Sequence, residues 1–410
     1  MKIINGLVFR ENKTFKKLDI TIKDHIITAI DDDVRDDYSS CVEEECIDAR
    51  GLYVIPGLID IHSHGAFGHD FSDNDIEGLY SILSYEYEHG ITSYCPTSMS
   101  LDKDTLKSIY ASVKGYERKP GHAKIAGLNM EGPFLDPKKK GVHKEEHLLN
   151  PDIDFFKECN ELSNNMIKLV TLAPNLPGAN EFIKELSSVT NISLGHSLSS
   201  YEEATEAFQN GANHVTHLFN AMSPISHREP GLIPAAFDNK DIMVELICDG
   251  LHIHDSMVRL AFSMFKDRLI LVSDSMRATG LLDGIYELGG QTVKVSQKKA
   301  TLLTKENATG TLLVTKEPSP NDTVTKEPSP NDTASNAPMK ETIAGSVCDL
   351  YDCMRMAIKI GIPPEDAIYA STIAPARSIN IYDETGSISV GKASDLLLVD
   401  QNYNLIKVIS

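Results

Sequence analysis

Eight short apolar runs, separated by segments of helical character, recur through the middle of the chain: GLIDI, ITSYC, KIAGLNM, KLVTL, NISLG, NHVTHLF, IMVELIC and LILVSD. Strands that alternate with helix-length connections are parallel, because a parallel pair needs a long crossover. The best marked helix follows NISLGHS: Ser199 or Ser200 can accept its first free N–H groups, and Gly211 can close it after YEEATEAFQN. Eight strands suit a closed (β/α)8 barrel. The residues with reactive side chains stand just past strand ends: His62, His64, Glu131, His196, His217, Asp249 and Asp274. Active sites of such barrels lie there. A doubly wound open sheet also binds ligands at strand carboxyl ends, so the clustering by itself leaves both architectures open.

The ends of the chain read differently. KIINGLVF, LDITIKDHIITAI and ECIDARGLYVIPG near the start, and SISVGKASDLLLVD near the finish, are short strands joined by turns that could pair into one small sheet domain. TKEPSPNDT occurs twice, at 315–323 and 325–333, with no apolar face to bury, so about 305–340 is expected to be a disordered surface insertion. With 410 residues, 41% of them hydrophobic and 24% charged, the chain has ample material for a large core. A formal net charge of −20 disfavours nucleic acid and anionic membrane as partners, and leaves any substrate phosphate to be held by a few local cations. Seven cysteines without a CxxC pair fit neither a disulfide framework nor a zinc ribbon. MKIINGLVFR lacks a signal peptide's apolar stretch, and no run reaches the roughly 18 apolar residues of a membrane span. The cytoplasm follows by elimination.

His62 and His64 are two apart at a strand end, so their side chains emerge on one face within reach of one ion. His-x-His alone is a weak signal. It gains weight from Glu131, His196 and His217, which would point into the same barrel mouth. Three protein ligands and a water make a catalytic metal site, and a carboxylate shared with the two earlier histidines would allow a second ion. The chemistry implied is hydrolysis by activated water. Asp274, in ILVSDS, is the candidate general base and acid, against the plainer reading of a helix-capping or supporting aspartate. His143, after KKKGV, either polarises a substrate carbonyl or is one more surface histidine. Arg228 and His252 are candidate holders of phosphate or carboxylate, although unaided each reads more simply as a solvated charge.

The motifs, taken together, closely resemble the N-acetylglucosamine-6-phosphate deacetylases of the amidohydrolase superfamily. The segments that carry the resemblance are PGLIDIHSHGAFGHDF, GITSYCPTS, EGPFL with the later GVH, TLAPN, LGHS, THLFNAM followed by REPG, CDGLHIH, LVSDSMRATG, TIAGS and GSISVGKASDLLLVD, in family order across nearly the whole chain. The resemblance implies an α/β fold: a (β/α)8 TIM-like barrel over 53–380, with a small β-sandwich domain built from 1–52 and 381–410. It implies removal of the acetyl group from N-acetyl-D-glucosamine 6-phosphate, giving D-glucosamine 6-phosphate and acetate, in amino-sugar catabolism. Glu131, His196 and His217 would bind the main metal, Asp274 would activate water and later protonate the amine, and His143 would polarise the acetyl carbonyl. Asn220, Ala221, Arg228 and His252 would join His143 in binding the substrate.

Family members differ at His-x-His, so His62 and His64 form an optional second site and one or two ions per chain are expected. Zinc is the first choice, with iron, manganese and cobalt also compatible. The family also implies a homodimer, with some phosphate-binding cations crossing the interface. Asn175 replaces the more usual glutamate of TLAPE, and Ser275 stands where alanine is usual; neither change removes a ligand. Rival readings are a deacetylase of another N-acetylhexosamine phosphate, another cyclic amidohydrolase, and a catalytically silent metal-binding interaction protein.

Overall fold

The computed structural model describes residues 1–32, 45–304 and 342–410. The polar acidic stretch near residue 40 and the insertion expected at 305–340 lie outside the described residues. Eight parallel strands are hydrogen-bonded in sequence order: β1 (Leu58–Ser63), β2 (Ile91–Ser98), β3 (Leu128–Glu131), β4 (Ile167–Leu172), β5 (Asn191–Leu194), β6 (His214–Val215), β7 (Met243–Ile247) and β8 (Leu269–Val272). A helix follows each one: α1 (Ile76–Glu88), α2 (Lys103–Ser112), α3 (Ile153–Leu162), α4 (Ala179–Leu186), α5 (Tyr201–Gln209), α6 (Leu232–Asp238), α7 (Asp255–Phe265) and α8 (Leu350–Lys359). The expected α5 cap is Ser200, whose hydroxyl accepts from the Glu203 N–H while the Glu203 carboxylate accepts from the Ser200 N–H.

Closure decides between barrel and open sheet. Just past β8, the Asp274 N–H donates to the His62 carbonyl (2.9 Å) and the His64 N–H donates to the Ser275 carbonyl (2.8 Å). The strands therefore form a ring, joined across its last seam by residues of the candidate site. Apolar side chains such as Val170, Leu172, Ile192, Leu194, Val244 and Leu246 are buried in one continuous core with the helices, each contributing about 1.5–3 kcal/mol.

The two ends of the chain supply a separate seven-stranded sheet. Its order is Leu405–Ile409, Leu396–Val399, Tyr53–Pro56, Lys2–Arg10, Thr14–Lys23 and Ile26–Asp31, with Cys46–Asp48 also paired to Lys2–Arg10. It has its own core of Ile3, Val8, Leu18, Ile20, Ile27, Val54, Leu396 and Leu398. Two expectations shift. The barrel boundary at 53 moves: Tyr53–Pro56, part of the ECIDARGLYVIPG run read as a strand of the terminal domain, is hydrogen-bonded into this sheet. SISV is not a strand: Ser387 and Ser389 donate to the Glu11 carboxylate (2.9 and 2.8 Å), and the true partner of Leu396–Val399 is Leu405–Ile409.

The sequence reading also missed a three-stranded antiparallel sheet over the barrel mouth, formed by Gly284–Leu288, Gln291–Ser296 and Lys299–Leu302. Gly289 and Gly290 both have positive φ (57° and 74°) and form its first turn, the conformation that two-residue hairpins require. Leu288, Val293 and Val295 pack there with Met99, Val142 and Met276. Among the described residues, no helix is long and apolar enough to cross a membrane. Cys95, Cys159, Cys248, Cys348 and Cys353 are free and buried, whereas Cys46 is disulfide-bonded, which the cysteine count did not anticipate.

Gly57 joins the terminal sheet to the barrel, its N–H donating to the Asp395 carbonyl (2.8 Å). A Cβ there would lie 2.1 Å from Thr92 Oγ1. Gly57→Ala is expected to destabilise the protein by about 1–3 kcal/mol in chemical denaturation, and Thr92→Ala should restore part of that loss.

Candidate active site

Five of the eight barrel strands deliver the candidate groups to the barrel mouth. Glu131 is the last residue of β3; His196, His217 and Asp274 follow β5, β6 and β8 by two residues; and His62 and His64 lie at the end of β1. His196, His217 and Asp274 have left-handed backbone (φ 46°, 26° and 48°), an arrangement costing about 1–3 kcal/mol each for residues other than glycine. Neighbouring backbone bonds hold them there. The Ser346 N–H donates to the Asp274 carbonyl (2.7 Å), the Asp136 N–H to the His196 carbonyl (3.0 Å), and the Leu218 N–H to the Glu245 carbonyl (2.8 Å).

The side chains converge on Glu131. Its Oε1 lies 3.0 Å from His217 Nε2, 3.1 Å from His196 Nε2 and 3.4 Å from His62 Nε2. Its Oε2 lies 3.1 Å from His64 Nε2 and 3.4 Å from His143 Nε2. The two nitrogens of His196 and His217 are themselves 3.0 Å apart. Asp274 Oδ1 faces His64 Nε2 at 3.3 Å and His62 Nε2 at 3.7 Å.

The far side of each ring decides what it can do. Nδ1 of His64 lies 3.1 Å from the Thr97 carbonyl, that of His196 2.8 Å from the Lys139 carbonyl, and that of His62 2.8 Å from Glu245 Oε2. A carbonyl only accepts, so Nδ1 carries the proton and a neutral ring turns an Nε2 lone pair toward the site, as a metal ligand must. His62 Nε2 makes no hydrogen bond in its fully buried position. His143 is the opposite case: its Nδ1 accepts from the Ser100 N–H (3.1 Å), so the neutral ring presents an N–H at Nε2. His143 is therefore built to donate rather than to ligate. His217 lacks such an anchor, its Nδ1 being buried without a hydrogen bond.

The donor set fits a divalent ion. Glu131 Oε1, His196 Nε2 and His217 Nε2 form a triangle with edges of 3.0–3.1 Å, close to the separation of ligand atoms about an ion bound at roughly 2.0–2.2 Å. Charges agree. Burial would raise the Glu131 pKa, but the nearby His62 and the imidazoles of His143, His196 and His217 that face the carboxylate hold it well below the usual range. Burial likewise opposes ionisation of Asp274, yet His64 and His62 keep its pKa low. Burial opposes the His64 imidazolium, but Asp274 and Glu131 outweigh it and raise its pKa to about 10. Burial drives His143 down to about 4, keeping it neutral.

Glu245, in the middle of β7, was not anticipated. Its Oε2 accepts from His62 Nδ1 (2.8 Å) and from the His217 N–H (3.1 Å), fixing two site residues at once. The available signal was one carboxylate in the otherwise apolar run IMVELIC.

A cavity of about 340 Å3 opens on these groups, lined also by Asn220, Ala221, His252, Lys139 and Leu288. Burial disfavours the His252 imidazolium, but the Asp249 carboxylate, 2.7 Å from its Nδ1, raises its pKa. Arg228 is exposed on the segment after β6 and does not line the cavity. Every other predicted site residue does line it except His62, which lies beneath it against Glu131.

The amidohydrolase family profile matches residues 53–410. N-acetylglucosamine-6-phosphate deacetylase of Bacillus subtilis is 33% identical over 362 residues, which are 87% of this chain and 83% of that protein. The chain belongs to this family of amidohydrolases. A second deacetylase relative, from Caenorhabditis elegans, is 33% identical over 375 residues, covering 88% of this chain and 81% of its own. The crystal structure of N-acetylglucosamine-6-phosphate deacetylase from Pasteurella multocida superposes with a TM-score of 0.83 at 25% identity, covering all of this chain and 97% of that one.

In this amidohydrolase His62 and His64 retain protons when no ion competes for them, since both folded pKa values lie above the ordinary value of 6.5. Ion binding at those rings must therefore expel protons, and affinity should rise with pH up to about 10. Calorimetry in buffers of different ionisation enthalpy should read that release. Affinity independent of pH, with no proton released, would contradict the arrangement.

Proposed function

We infer that this chain hydrolyses the acetamide of N-acetyl-D-glucosamine 6-phosphate to D-glucosamine 6-phosphate and acetate. The observation that carries this reading is the division of labour among the buried groups: a lone pair fixed at His196 Nε2 with His217 Nε2 beside it against Glu131, an ionised Asp274, and an N–H at His143. A divalent ion held by Glu131, His196 and His217 would supply Lewis acidity and lower the pKa of water at the site. Zinc suits imidazole and carboxylate donors, and iron, manganese or cobalt would also be accepted. His62 and His64 would hold a second ion that shares Glu131.

Asp274 takes the proton of the attacking water and delivers it to the departing amine nitrogen, the two halves of general base and acid catalysis by one carboxylate. His143 donates its Nε2–H to the acetyl oxygen as negative charge develops there. The His252 imidazolium, with Asn220 and Ala221, receives the phosphate. Arg228 faces solvent and serves the cavity of a second copy in a homodimer; its exposure supports that reading.

Acetate release from N-acetylglucosamine 6-phosphate tests the proposal. Asp274→Asn should lower kcat by about 10²–10⁴-fold in a folded protein, and unphosphorylated N-acetylglucosamine should show a much lower kcat/KM in the native enzyme. An unchanged rate in the variant would overturn the assigned role.

A further inference from the structure

A second cavity, of about 420 Å3, shares no lining residue with the catalytic one but is joined to it where its Asp249 bonds His252. Its lining includes Asp249, Cys348 and Met356, with Lys298, Arg355 and Lys359 around it. In a chain of net charge −20 this group of cations is notable for what balances it. Asp352 lies 3.5 Å from Lys298 and Asp249 is paired with His252. Arg355 and Lys359, both exposed and one turn apart on α8, repel each other. The Arg355 guanidinium donates to the Asn404 side chain (2.9 Å) and, after the hydrogen bonds from Asn404, helps to lower the pKa of the nearby Asp400 carboxyl. Lys359 has no carboxylate partner among the ion pairs of the described residues. An Arg fork beside the Lys359 ammonium, with Lys298 shared with Asp352, fits an oxyanion. Asn402 and Tyr403, also in the lining, offer polar partners to the rest of a small ligand.

Two of the lining residues reach the catalytic cavity through a few bonds. Asp249 Oδ2 lies 2.7 Å from Nδ1 of His252, and its Oδ1 accepts from the His252 N–H (2.9 Å). The Cys348 N–H donates to Ser346 Oγ (2.9 Å), and the Ser346 N–H donates to the Asp274 carbonyl (2.7 Å). Met356 also packs directly on Gly250, where a Cβ would lie 2.3 Å from its methyl carbon. These bonds are a route by which a displacement of this wall would be passed to both the imidazole assigned to the phosphate and the strained backbone of Asp274.

We propose that this second cavity is an effector site for a small organic phosphate, whose binding alters turnover through Asp249 and Ser346. The probe is glucose 6-phosphate, which has no acetamide to hydrolyse, tested on the full chain and on the double variant Arg355→Glu/Lys359→Glu. Both substitutions are on the exposed face of α8 and touch none of the groups assigned to catalysis. In the native protein the probe should change kcat at saturating substrate, in addition to any competition. The variant should show only competition, with the second site in calorimetric titrations weakened at least about ten-fold. Calorimetry reads this site without turnover, so failure of the deacetylase assignment would leave the result interpretable. An unchanged kcat with identical isotherms in the two proteins would overturn the proposal, as would an equal kcat effect in both.

Discussion

Five imidazoles surround the buried carboxylate of Glu131 at 3.0–3.4 Å, and that concentration of charge and lone pairs governs the rest of the structure. An isolated carboxylate at this depth would cost several kcal/mol. It is tolerated because cations, whether protons on His62 and His64 or a metal ion, are held against it. Three of the rings, His62, His64 and His196, are fixed from behind, so that each turns Nε2 to Glu131 with its Nδ1 proton committed elsewhere. Thr97, Lys139 and Glu245 provide those commitments. Ser100 provides the reverse one for His143.

The barrel positions these groups at some cost to its own backbone. Four site residues, His196, His217, Ala221 and Asp274, sit in left-handed conformations, and backbone bonds from Asp136 and Ser346 hold the carbonyls of His196 and Asp274. The seam between β8 and β1 is closed by the backbone of Asp274 and His64 themselves. Loss of the site geometry would thus loosen the ring, and loss of the ring would disperse the ligands. Below the site the barrel interior remains polar: Thr216 and Thr171 hydroxyls meet at 2.9 Å, and Asn129 donates to the Ile61 carbonyl (3.0 Å).

Most of the architecture was legible because its signals are local. All eight apolar runs are barrel strands, although KIAGLNM divides into Lys124–Ile125 and Leu128–Glu131. What escaped depends on contacts distant in sequence. Glu245 reads as a flaw in an apolar strand until His62, 183 residues away, is seen against it. Whether His143 donates or ligates turns on one backbone N–H, at Ser100, which no spacing reveals. The three-stranded sheet had readable turns at Gly289–Gly290, but it stands apart from the repeating strand and helix pattern. Arg228 was placed with the substrate by the need of an acidic chain for local cations and by resemblance, and a single chain leaves it in solvent.

The claim that a cation-demanding carboxylate organises this hydrolase is tested most directly by Glu131→Gln, a change that keeps the side chain's size and removes its charge. Bound metal per chain and acetate release should be measured on the same preparation. The expected result is a folded protein that has lost both its main ion and its deacetylase activity. A Glu131→Gln protein that kept its full metal content and its native rate would contradict the account.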